Sequence, residues 1–185
     1  MLVDIFRLIL DIVFSLFGGL LIVRAWAQGT DLSSRNLFSH GIFELTNWYV
    51  LPLRRFIPVV GRIDWASIIG AWLCAVLYLV LSTIIAGRTP LVAFPNCMAV
   101  ALVLLLKWFA NLVMWLTLLM AILSWLNPRV IAMSLLQHLL DPFLCRIRRL
   151  TPLIGGFDLS PMILFLMMQI LLMILPRIEL FFLMI

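Results

Sequence analysis

Charge is what this sequence has least of. Charged residues make up 11% of its 185 positions, against about a quarter in an average soluble protein. Lysine occurs once, at Lys107, and arginine supplies the other twelve basic residues. A net charge of +5 spread so thinly excludes a nucleic-acid surface and suits anionic lipid headgroups instead. Cysteine is equally scarce. Cys74, Cys97 and Cys145 form no CxxC and cannot all pair, which excludes a disulfide framework. No Walker motif, HExxH or GxSxG is present, so the common nucleotide, zinc-protease and serine-hydrolase signatures are absent. What remains is apolar: 65% of residues are hydrophobic and the mean hydropathy is +1.22. There is too little polar surface to cover a water-soluble globule, and the chain reads as a membrane protein.

Four apolar stretches are long enough to cross a hydrocarbon core of about 30 Å. They lie near Ile5–Ala27, Trp65–Ala86, Met98–Leu126 and Leu159–Leu175. The third would extend about 43 Å as a helix. A split that makes residues 90–106 a separate span is the alternative, but no Gly or Pro follows Lys107 to turn the chain, so one tilted or protruding helix is expected. Ala25-Trp26-Ala27 has the form of a signal-peptidase site. Asp4, Asp11 and Arg24 disagree with a signal peptide, and the first stretch is kept as a span. Arg35, Arg54, Arg55, Arg62, Arg129, Arg146, Arg148 and Arg149 lie in the two long connections. Only Arg7, Arg88 and Arg177 lie on the opposite side. That bias puts both long connections in the cytoplasm and both termini outside.

The two long connections carry the same pattern. Arg54-Arg55-Phe56-Ile57-Pro58-Val59-Val60-Gly61-Arg62-Ile63-Asp64 and Arg148-Arg149-Leu150-Thr151-Pro152-Leu153-Ile154-Gly155-Gly156-Phe157-Asp158 both read R-R-x-x-P-x-x-G-x-x-D, 94 residues apart. Five matched positions of restrictive type, each set before a span, indicate an internal duplication. Residues 1–86 form the first repeat, 87–97 an external linker and 98–185 the second repeat. Two spans per repeat make the halves parallel rather than inverted. The fold expected is all-α: four transmembrane helices, with amphipathic helices lying at the interface in the cytoplasmic connections.

The duplicated motif, with Gly155-Gly156-Phe157-Asp158-Leu159-Ser160-Pro161 opening the last span, resembles the YggT family of small membrane proteins. The first copy departs at its end, where Trp65-Ala66-Ser67 replaces Leu159-Ser160-Pro161. The resemblance implies a multi-pass protein of the bacterial inner membrane. It also implies links to osmotic or extracytoplasmic stress and to ion uptake, and, from plastid relatives, to assembly of membrane complexes. It carries no catalytic residues, metal or cofactor.

Within the motif, Arg54, Arg55, Arg148 and Arg149 either hold lipid phosphates or only set topology. Pro58 and Pro152 stop the preceding helix, and Gly61 and Gly155 allow the chain to reverse. Asp64 and Asp158 stand where an N-cap belongs, a role asparagine fills equally well, and Pro161 fits the first turn of the last helix. Upstream, Phe38, Ile42, Leu45, Tyr49 and Leu53 recur at helical spacing, and a second apolar stretch runs from Val130 to Leu140, ending at Asp141-Pro142. His40 and His138 are roughly equivalent, but without CxxCH they read as interfacial polarity, not haem ligands.

Charges inside spans are expensive and therefore informative. Arg24 lies near a span end and is expected to snorkel. Asp11 and Lys107 lie deeper, at near-equivalent repeat positions, with Asn111 one turn beyond; they are expected to form an intramembrane polar pair. Small residues at Ala66, Gly70 and Cys74, beside Ser67, Ala71 and Ala75, mark the second span for the bundle centre or an oligomer interface. The expected function is non-enzymatic: organising anionic lipids or partner membrane proteins, with a homo-oligomer also open. The rival is a small ion-permeation protein or transporter subunit using Asp11, Lys107 and Asn111.

Overall fold

The computed structural model describes residues 2–29, 37–57, 64–87, 94–126, 131–149 and 158–184. Among these every regular element is a helix: α1 (Leu2–Gly29), α2 (Leu37–Arg54), α3 (Trp65–Ile85), α4 (Phe94–Leu126), α5 (Ile131–Arg148) and α6 (Ser160–Met184). Helices α1, α3, α4 and α6 are long and apolar enough to cross a membrane. In hydrocarbon a helix satisfies every backbone group within itself, which is why such sequences fold this way. The third stretch is one uninterrupted helix of 33 residues, beginning at Phe94.

Three helices run through an internal proline, and two of them, α5 and α6, outrun their expected ends. α2, α5 and α6 continue through Pro52, Pro142 and Pro176. Asp141-Pro142 does not end α5, and α6 does not stop at Leu175. Each proline removes only one N–H from the ladder, and the turns on either side keep theirs. For α6 the extra turns past Pro176 add Glu179 to the helix.

Packing divides the chain into two compact units, Met1–Trp108 with Pro176–Ile185, and Phe109–Leu175. The division falls within α4 and α6 and follows packing, whereas the 94-residue register belongs to the sequence. In the first unit α1 lies against α3 and α2, and α2 against α3. The small residues Ala66, Ser67, Gly70, Ala71, Cys74 and Ala75 are the buried face of α3. With no bulk between them the backbones approach closely. The small-residue stripe thus serves packing inside this unit. Tyr49 of α2 fills the groove over Gly70 and donates its hydroxyl to the Gly70 carbonyl at 3.2 Å.

α2 buries Thr46 and Val50, while Leu45 and Trp48 face outward. The inward face is therefore turned from the stripe that placed Leu45 beside Ile42. In the second unit α5 buries Met133, Leu136, Leu140, Leu144 and Ile147, spaced by three and four. The Phe109 and Phe143 rings meet there with centroids 6.2 Å apart.

Candidate functional site

Among the described residues, polar side chains of the first unit gather at two places. The first is built on Asp64. Its main-chain carbonyl accepts from the N–H groups of Ser67 and Ile68, at 3.1 and 3.2 Å, so it occupies the N-cap position of α3. Its side chain makes no capping hydrogen bond. Instead Oδ2 accepts from Arg54 Nη2 and from Ser67 Oγ, both at 2.7 Å. The expected cap is thus a main-chain cap, and the carboxylate is the anion of a buried charge centre. Burial pushes this carboxyl up, but the bonds from Arg54 and Ser67 and the charges of Arg54 and Arg24 outweigh it. Its pKa lies below the ordinary value.

Arg24 does not snorkel. Its side chain is 1% exposed and its Nε lies 3.6 Å from Asp64 Oδ2. Nη1 donates to Thr46 Oγ1 at 2.6 Å and to the Phe43 carbonyl at 3.3 Å. The guanidinium carbon stands 4.8 Å from the centre of the Phe43 ring. Thr46 can accept because its own proton goes to the Ile42 carbonyl at 2.6 Å. A neighbouring helix thus supplies in the interior what snorkelling would seek in water. Arg54 completes the centre, reaching Gln28 Oε1 at 2.9 Å as well as Asp64.

The second unit has a simpler version. Arg148 Nε donates to Asp158 Oδ2 at 2.8 Å, and Asp158 Oδ1 accepts the Ser160 N–H at 3.0 Å. Here the aspartate side chain does bond the first turn of α6, where Pro161 also stands. Burial raises the Asp158 carboxyl, while the Ser160 and Arg148 bonds lower it further, for a net fall. Arg148 also lies 3.8 Å from Asp141. In both halves the first arginine of the motif reaches the aspartate ten residues later, and the second, Arg55 or Arg149, is exposed. Pro58, Gly61, Pro152 and Gly155 lie outside the described residues.

The second gathering is a cleft of about 610 Å³ in the first unit, lined among others by Asp4, Arg7, Asp11, Tyr78, Thr83 and Glu179. Asp11 and Lys107 do not pair. Asp11 Oδ1 accepts the Tyr78 hydroxyl at 3.0 Å, and Lys107 Nζ binds Glu179 Oε2 at 2.9 Å. Each charge found a closer partner on a different helix. Asn111 is exposed and belongs to the other unit. Sequence reasoning missed Glu179 because Pro176 was read as the end of the span. It missed Tyr78 and Thr46 because hydroxyls carry no pattern of their own. Asp64-x-x-Ser67 was the one available signal for Ser67.

A family model described as CCB3/YggT matches residues 3–85 and 99–179. The chain is 34% identical over 162 residues to the "Uncharacterized protein in proC 3'region" of Vibrio alginolyticus, covering 87% of this chain and 88% of that one. It is 34% identical over 163 residues to the "Uncharacterized protein YggT" of Escherichia coli K12, covering 88% and 84%. It is 27% identical over 164 residues to "Uncharacterized protein PA0392" of Pseudomonas aeruginosa, covering 88% and 83%. No solved structure matches.

Proposed function

The chain belongs to the CCB3/YggT family, and from that premise we propose that it is a non-catalytic membrane protein organising anionic lipids or partner proteins in the inner membrane under osmotic or envelope stress. One observation carries the reading. In each motif the first arginine is held by the motif aspartate, Arg54 by the buried Asp64 and Arg148 by the partly exposed Asp158, while Arg55 and Arg149 stand exposed at equal register. An exposed arginine beside a bilayer can meet phosphate without giving up a protein partner. The family match falls on two stretches, 3–85 and 99–179, and supports two repeats carrying one such arginine each. The arginine bias supports a cytoplasmic side for both motifs.

The test is a deletion strain grown at high osmolarity and complemented with the wild type or with Arg55→Gln/Arg149→Gln. Loss of complementation with normal membrane levels is expected. Full complementation by the double variant would refute the role of these arginines.

A second reading, ion permeation, is favoured by the cleft that holds Asp11 and Glu179. Potassium flux into liposomes containing the protein, abolished by Asp11→Asn, would establish it over the first.

A further inference from the structure

Among the described residues, the charges of the buried centre in the first unit do not balance. Two guanidiniums, Arg24 and Arg54, face one carboxylate, Asp64. Arg24 is already held by Thr46, the Phe43 carbonyl and the Phe43 ring, independently of Asp64. Ninety-four residues on, the second half has Leu118 in its place. A surplus buried cation costs desolvation, so its presence calls for a reason. The two arginines differ in reach. Arg24 is 1% exposed, whereas Arg54 is 29% exposed in the last turn of α2, ahead of the exposed Arg55 and Phe56. Arg54 engages both Gln28 and Asp64 through Nη2 alone. Its Nε, the Arg24 Nε and Asp64 Oδ1 are buried without a hydrogen-bond partner among the described residues. Arg24 Nε stands 3.6 Å from Asp64 Oδ2, a small side-chain shift from a hydrogen bond.

We infer that Arg54 is a phosphate-binding residue, taking the phosphodiester of an anionic lipid headgroup, and that Arg24 is the positioning cation that takes over Asp64 when Arg54 turns outward. The inference rests on the lipid-organising reading above. The guanidinium fork matches phosphate oxygens bidentately. Without Arg24, handing Arg54 to a phosphate would strand a buried carboxylate; with it, both anions keep a partner. Inorganic phosphate offers the same chemistry, but the exposed Trp48 and Leu51 of α2 and Phe56 just beyond it give a lipid's apolar part a seat.

The experiment uses the full chain in nanodiscs, reading retention of phosphatidylglycerol against phosphatidylcholine by native mass spectrometry, with thermal unfolding in parallel. Wild type should retain phosphatidylglycerol about tenfold better, the worth of one charge-assisted contact. Arg54→Gln should cut that preference severalfold, leaving the share that Arg55 and Arg149 supply, and still fold in phosphatidylcholine, because Arg24 covers Asp64. Arg24→Gln should cut the preference as far although Arg24 is out of a lipid's reach, and Arg24→Lys should restore it. Wild-type retention in Arg54→Gln overturns the inference whether or not Arg24→Gln folds. So does an Arg54→Gln protein that cannot fold in phosphatidylcholine. Inorganic phosphate that stabilises wild type in phosphatidylcholine as phosphatidylglycerol does, through Arg54, would overturn the lipid assignment. Loss of preference in Arg55→Gln/Arg149→Gln but not in Arg54→Gln would sink this inference and leave the lipid-organising reading standing. Absence of any preference in wild type would sink both.

Discussion

Asp64 and Asp158 occupy the same motif position and do different work. Asp64 is 0% exposed and accepts at Oδ2 from Arg54 and Ser67, whereas Asp158 is partly exposed and accepts at Oδ1 from a main-chain N–H. Asparagine can keep the second bond but cannot neutralise two guanidiniums. Asp64→Asn is therefore expected to cost about 3 kcal/mol, the penalty of breaking a buried pair, and Asp158→Asn less than about 1 kcal/mol. Thermal unfolding in detergent compares them. Both carboxyls are lowered on folding, so the unfolded chain binds more protons in the acid range. Their stabilisation is complete above the ordinary value of 3.8, and it is lost as pH falls through their lower folded values. The unfolding temperature should hold from neutral pH to about 5 and fall below about 4, with a shallower fall in Asp64→Ala. The same accounting governs Lys107 and Glu179, joined at 2.9 Å. Lys107→Met or Glu179→Gln alone leaves a desolvated charge and should cost about 2 kcal/mol. The double variant should be more stable than either single, and a double no better than the worse single would mean that the charges are uncoupled.

Among the elements, α1 and α4 meet where glycine leaves room for an aromatic ring. A Cβ added at Gly18 would overlap Cε3 and Cζ3 of Trp108. The Trp108 indole also lies edge-on to Tyr78, with centroids 6.3 Å apart, and Tyr78 holds Asp11. Gly18→Ala must therefore displace Trp108 and disturb the helix contact beside the cleft, at about 1–3 kcal/mol. The check is unfolding temperature together with tryptophan fluorescence. Gly18→Ala with both unchanged would mean that Trp108 does not pack on α1.

At the scale of the whole molecule the arginine bias predicts an orientation, and the chain's own cysteine can report it. Cys145 of α5 is exposed, and Phe56, just beyond α2, is 87% exposed. In a background with Cys74 and Cys97 replaced by alanine, Cys145 and a cysteine substituted for Phe56 should both escape a membrane-impermeant maleimide in intact cells. Both should react after permeabilisation. Labelling of one alone in intact cells would refute the proposed parallel repeats, because two candidate spans, α3 and α4, separate the motifs.

The membrane spans were legible from composition and length, because a helix in hydrocarbon needs only enough consecutive apolar residues. The motif was legible from repetition, and the family from the motif. What stayed hidden was which polar atoms meet. Arg24 was assigned to the interface from its place along α1, yet Thr46 and Phe43 of α2 receive it in the interior. Asp11 and Lys107 were matched by charge and repeat position, yet Tyr78 and Glu179 stand closer, the latter only because α6 runs on through Pro176. Periodicity along one helix fixes the face a residue occupies on that helix. The partner on that face is set by how other helices pack, and that rests on small residues and ring positions that no single segment encodes.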